Sequence, residues 1–125
     1  MVTLKPERQL YYALKKNTPG ISWNRIENLA GIGMPDVLGY NDNRHFFTVE
    51  LKVVKGNKIK FSPHQISFHI KHPERTYILI RALGQRSLKL FPGSEIRKLV
   101  ASGYGDGFFV ADSWPGVLEA FSNIF

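Results

Sequence analysis

Leu10, Tyr11 and Leu14 recur at the three- and four-residue intervals of one helical face, and Pro6 suits a first turn, so residues 6–16 are expected to form an amphipathic helix. Glu7 falls on the same stripe. Asn17, Pro19 and Gly20 should end this helix. Residues 21–28 then read as a first strand, followed by Gly31 and Gly33. Residues 34–40 are strand-like, residues 41–44 form a polar turn cluster, and residues 45–54 alternate aromatic and β-branched positions with polar ones. That is the pattern of a β-hairpin.

Further on, Ser62, Pro63 and Gln65 supply an N-cap, a first-turn proline and a capping-box partner for a short helix that stops before Pro73. Residues 76–83 follow as a strand. The unbroken apolar run at 77–80 fits a strand covered on both faces in the middle of a sheet, with residues 87–91 as a neighbour. Residues 94–102 suggest another helix closed by Gly103, and residues 114–125 a last one with Leu118, Phe121 and Phe125 near one face. This order of elements predicts an α/β (α+β) domain in which a mixed central sheet is flanked by helices on both sides.

A chain of 125 residues that is 43% hydrophobic fits one domain spanning 1–125. Seventeen Lys and Arg against ten Asp and Glu give a formal charge of +7, which favours a polyanionic partner. No apolar run approaches the roughly 18 to 20 residues of a membrane-spanning helix, and the opening residues lack a signal-peptide core. No membrane partner and a cytoplasmic location are therefore expected. Without cysteine, any metal must be held by oxygen or imidazole, which makes magnesium the default cation, with manganese able to substitute.

The chemistry sits on the hairpin. Along residues 46–54, Thr48, Glu50 and Lys52 share one face of the strand. A five-residue connection, 41–45, pairs Tyr40 with Phe46, Leu38 with Thr48 and Asp36 with Glu50, and a slip of one residue would turn Asp36 to the other face. Two carboxylates side by side repel unless a divalent cation sits between them. The backbone carbonyl of Leu51 can add an oxygen ligand, and Lys52 a positive charge. Such a site is suited to phosphodiester hydrolysis.

Pro35-Asp36, followed fourteen positions later by Glu50-Leu51-Lys52, resembles the signature of the PD-(D/E)XK nuclease superfamily. With Glu7 on an opening helix, then Arg25, the run Gly33-Met34-Pro35-Asp36, and Gln65, the sequence is similar within that superfamily to the archaeal-type Holliday junction resolvases and the VRR-NUC nucleases, over about residues 6–83. The resemblance implies a restriction-endonuclease-like core, Asp36 and Glu50 as metal ligands, Lys52 as the catalytic lysine and Glu7 as an accessory carboxylate. Gln65 matches the helix glutamine of the VRR-NUC enzymes. Residues 84–125 lie outside the match.

Other readings stand beside these. Glu7 also suits a helix N-terminus through the dipole, and Glu27 competes with it as the third carboxylate. Gln65 can be occupied by the capping box. Arg25 is a candidate phosphate contact, as are Lys55, Lys58 and Lys60 in a basic run around Gly56-Asn57, a run that equally fits a solvated loop. His64, His69 and His72 are expected to flank their helix as polar residues. Gly31 and Gly33 do not make a dinucleotide fingerprint, because the third glycine and the following helix are missing. The function expected is a magnesium-dependent endonuclease on DNA, selecting branched structure such as a four-way junction. Symmetric cutting would need a homodimer, with the aromatic tail at Trp114, Phe121 and Phe125 serving either its interface or the core. The alternatives are a nuclease acting on flaps or duplex, or a silent nucleic-acid-binding module.

Overall fold

The computed structural model describes residues 5–26 and 33–124. In chain order the elements are α1 (Pro6–Asn17), β1 (Ser22–Arg25), β2 (Val37–Tyr40), β3 (Phe46–Val54), α2 (Pro63–Lys71), β4 (Thr76–Ala82), β5 (Ser87–Pro92), a 3-10 turn (Gly93–Glu95) leading into α3 (Ile96–Ser102), and α4 (Trp114–Ser122). The five strands lie in the order β1-β2-β3-β4-β5. Neighbours run antiparallel except β3 and β4, which are parallel and joined by α2 as the crossover. Helix α2 therefore runs back against the direction of β3.

Period-two alternation on β3 and β4 divides the core into two layers. Phe47, Val49, Leu51 and Leu79 pack under α1 and α4, against Leu10, Leu14, Val117 and Phe121. On the opposite face, Ile78, Ile80 and Phe91 pack against α3 and its neighbours Ile96, Leu99 and Tyr104. Phe121 is fully buried and stacks on Phe47 at 4.6 Å, with Trp23 and Tyr77 meeting it edge-on. Buried Asn41, in the turn after β2, donates to the carbonyls of Phe121 and Ile124 and accepts from the His45 amide. The hairpin turn is thereby tied to carbonyls at the end of α4 and just beyond it.

Three elements are shorter than the sequence pattern predicts. The first strand stops at Arg25, and the second begins only at Val37. Proline cannot donate to a ladder, which removes Pro35 from the second strand. The helix expected over 114–125 ends at Ser122, and Phe125 lies outside the described residues, as does Glu27.

Candidate active site

The observed hairpin register is Val37 with Val49, Leu38 with Thr48 and Tyr40 with Phe46. One further step along it sets Asp36 opposite Glu50, on the face that α2 covers. The ladder itself ends at Val37 with Val49, and continued by another step the register would bring Pro35 opposite Leu51. An antiparallel pair at that position would exchange two backbone hydrogen bonds. Pro35 has no N–H to give, so its ring leaves the Leu51 carbonyl without that donor. The Leu51 amide turns instead to Asp36 Oδ2, at 2.7 Å. The Asp36 backbone carbonyl accepts from Ile26 N at 2.9 Å, which fixes the residue from the β1 side.

Glycine at position 33 lets this loop approach α2. Gly33 adopts φ +87°, and a Cβ there would stand 2.5 Å from the backbone of His64. Only glycine tolerates both demands. The loop carrying Asp36 is thus seated against the first turn of α2, beside Gln65.

Glu50 is 2% exposed. Its carboxyl group is held far above the ordinary carboxylate range, first by burial, then by a hydrogen bond to Asp36 and the charge of Asp36; Lys52 opposes the shift and Glu7 adds to it. Burial and an adjacent like charge both disfavour ionisation. A pair of carboxyl groups in this state shares a proton until a cation replaces it. Glu50 Oε1 is buried and has no donor within the protein.

Lys52 lies on the same face as Glu50 and donates to Gln65 Oε1 at 3.0 Å, with its ammonium 5.1 Å from the centre of the Phe61 ring. Gln65 accepts from the Ser62 amide with the same oxygen and donates to Glu50 Oε2 at 3.3 Å. One side chain therefore closes the capping box and also bridges Glu50 and Lys52. The capping box is complete, with Ser62 Oγ accepting from the Gln65 amide, and it sets the rotamer that spans Glu50 and Lys52.

Glu7 stands at the exposed first turn of α1. Its carboxyl group is pushed up by burial and by Asp36, against Lys52 and Lys5, so it lies within the field of the pair. Glu7 and Asp36 line a small cavity of about 70 Å³ with Arg8, Tyr11, Arg25 and Leu51. A larger cleft of about 450 Å³ adjoins it, lined by Lys5, Glu7, Arg8, Arg25, Lys55 and Leu83 among others. Arg25 packs over the Tyr11 ring, 5.5 Å from its centre. The basic run divides: Lys55 reaches this cleft, while Lys58 lines a separate hollow beside α3 with Asn57 and Gly103, and Lys60 is exposed.

Among the described residues no three of His, Cys, Asp and Glu converge on a point that could hold a metal. The oxygens that could hold a cation are those of Asp36 and Glu50 with the Leu51 carbonyl. This fits a hard divalent ion that keeps several waters. The donorless Glu50 Oε1 is one such oxygen.

Some residues fall where the pattern did not place them. His69 does not flank α2 as a polar surface residue; it is fully buried. Its position one turn after Gln65, on the stripe shared with Ile66, is the signal that locates it. Phe121 is committed to the core rather than to an interface, and Trp114 packs partly against the same cluster. Arg8 joins the basic cleft, and its place beside Glu7 in the first turn is the sequence signal for it.

No family model matches the chain, and no curated protein matches it in sequence. Among solved structures, it is similar to Archaeoglobus fulgidus Hjc, a Holliday junction resolvase from an archaeal hyperthermophile. The TM-score is 0.51 and the identity 20%, over 71% of this chain and 74% of that one. The mixed five-stranded sheet flanked by helices is the fold of that resolvase.

Proposed function

We propose that this chain, which shares the Hjc fold, is a divalent-metal-dependent endonuclease acting on DNA, selective for branched structure such as a four-way junction. The observation that carries the reading is the side-chain contact of Asp36 with buried Glu50 and with the Leu51 amide, on the face where Gln65 holds the Lys52 ammonium. Magnesium is the expected ion, held by Asp36, Glu50 and Leu51. When bound, it supplies Lewis acidity that activates water and offsets phosphate charge. Lys52, steered by Gln65, would offer its ammonium to the negative charge that develops on the phosphoryl oxygens. Glu7 sits at the mouth of the site as an accessory carboxylate, and Arg8, Arg25 and Lys55 line the adjoining cleft at positions suited to phosphodiester oxygens.

The whole chain is proposed to be one nuclease domain, with no helix long and apolar enough to cross a membrane among its described residues. Shape is favoured over sequence as the basis of selection, because the cationic side chains gathered beside the site, Arg8, Arg25 and Lys55, suit phosphate oxygens rather than base edges. Cutting two strands symmetrically requires two sites, so the active form is proposed to be a homodimer. Incision of a labelled four-way junction beside matched flap, duplex and single-strand substrates tests this. Paired cuts confined to the junction support it, whereas cutting of flaps or duplex assigns the same site to repair-type or restriction-like work. Metal-independent binding without cutting would identify a silent module.

A further inference from the structure

Four buried polar atoms among the described residues lack a hydrogen-bond partner within the protein: Thr48 Oγ1, Glu50 Oε1, and both ring nitrogens of His69. All four belong to one layer, between β3 and α2. Thr48 and Glu50 are successive residues on the same face of β3. Gln65 and His69 are successive on one face of α2, a turn apart. Gln65 touches Glu50 and Lys52, and α2 runs against β3, so the next turn carries His69 back toward Thr48.

The other neighbours agree with this placement. Thr48 pairs with Thr76 in the parallel register. Thr76 Oγ1 and His69 Nδ1 both crowd the empty side of Gly93, at 2.2 and 2.9 Å from where its Cβ would stand. On the outer side of His69 lies a cavity of about 120 Å³, shared with Ser94 and Arg97. Burial, assisted by the charges of His72 and Lys52, lowers the ring to a pKa of about 4, so the imidazole is neutral and offers one donor and one acceptor.

Buried polar groups in folded proteins are almost always satisfied, and where protein atoms do not do it, internal water does. We infer that His69 is a positioning residue for Glu50, acting through internal water shared with the Thr48 hydroxyl. The ring's acceptor nitrogen takes a hydrogen bond from water in the adjoining cavity, and its donor nitrogen opens the path toward Glu50. The imidazole N–H donates to a water, the water donates toward Thr48 Oγ1, and the hydroxyl, directly or through a second water, supplies a donor to Glu50 Oε1. The carboxylate is then oriented from the Gln65 side at one oxygen and from the Thr48 side at the other. Such outer partners of a metal-binding group typically contribute about 10- to 100-fold in affinity.

The inference rests on the metal-site reading for its effect on function, but the network can be measured without metal. Nitrogen-15 spectra of the full chain, with the His69 signals assigned from His69→Leu, should show one neutral tautomer. Those signals should move in Thr48→Val and again in Glu50→Gln. Calorimetric titration with manganese should then show binding weakened about 10- to 100-fold in His69→Leu and in Thr48→Val. The double variant should be no worse than either single one, His69→Asn should stay within a few-fold of wild type, and every variant should keep a single cooperative unfolding transition.

Ring signals indifferent to both Thr48→Val and Glu50→Gln would overturn the network. Manganese affinity unchanged in His69→Leu, in a protein whose affinity is abolished by Asp36→Ala, would overturn the positioning role while leaving the metal site intact. A wild type that binds no manganese would instead overturn the metal-site reading, and the positioning role with it. The ring signals would still decide whether the network itself exists.

Discussion

Replacing Glu50 by glutamine should stabilise the metal-free protein at neutral pH, although it removes a residue placed at the centre of the site. Glu50 is 2% exposed and is held far above its ordinary value of 4.5 by burial and by Asp36. A carboxyl group with a raised folded value keeps its proton in the native state while the unfolded chain releases it. Its contribution is therefore fully present below about pH 4.5 and is lost as pH rises through the neutral range. The loss is about 1.4 kcal/mol for each pH unit in that window. From pH 4.5 to 7.5 this gives an upper bound of about 4 kcal/mol, and relaxation around the pair reduces it to an expected value of about 2 kcal/mol.

Glutamine reproduces the protonated form, since its amide can donate to Asp36 while its oxygen accepts from Gln65. In a chelator, thermal unfolding from pH 5 to 8 should therefore show the wild type falling away from Glu50→Gln. The gap should reach roughly 6 to 10 °C at the upper end, with the two converging near pH 5. Millimolar magnesium should narrow or invert it, because only the wild type then gains a ligand. Parallel curves across the range, or a less stable Glu50→Gln at pH 7.5, would refute the coupling of Glu50 to Asp36.

Saturating magnesium or manganese should raise the wild-type melting temperature through about 2.7 kcal/mol of stabilisation at a hundredfold excess over Kd, and Asp36→Ala should abolish the gain. Ser62→Ala and Gln65→Ala separate capping from catalysis: each should cost about 1 kcal/mol in urea unfolding, but only Gln65→Ala should also lower turnover, since it alone releases Lys52 and Glu50. Arg8→Ala with Arg25→Ala should reduce the salt dependence of DNA binding, measured by fluorescence anisotropy, by a slope of about 2, with folding unaffected. Phe121→Ala should cost about 3 to 5 kcal/mol in the same unfolding assay, because the ring is fully buried among Phe47, Trp23 and Tyr77.

The hairpin was legible because its information is local. A five-residue connection and period-two alternation determine parity, and parity decides that Asp36 and Glu50 share a face. The cap of α2 was legible for the same reason, since Ser62, Pro63 and Gln65 act within one turn. What was hidden depends on contacts distant in sequence. His69 reads as a polar helix residue until β3, β4 and the turn at Gly93 close over it. The opening of the second strand was misjudged by pattern, because Pro35 and Asp36 look extended yet leave the ladder, one lacking a donor and the other offering its side chain to Leu51. The basic run at Lys55, Lys58 and Lys60 looked continuous, but the chain turns between its members and sends Lys55 and Lys58 to different clefts. The aromatic tail carried the right periodicity for α4, and only the tertiary fold shows Phe121 buried against the sheet.

The central claim is that phosphodiester cleavage depends on Asp36 and Glu50 together with a divalent ion. Single-turnover incision of a labelled four-way junction, by wild type and by Asp36→Ala at equal protein concentration, with magnesium and with chelator, tests it most directly. Cleavage is expected only from the wild type and only with magnesium, while Asp36→Ala remains folded and still binds the junction. Cleavage that persists in Asp36→Ala or in chelator would place the chemistry elsewhere.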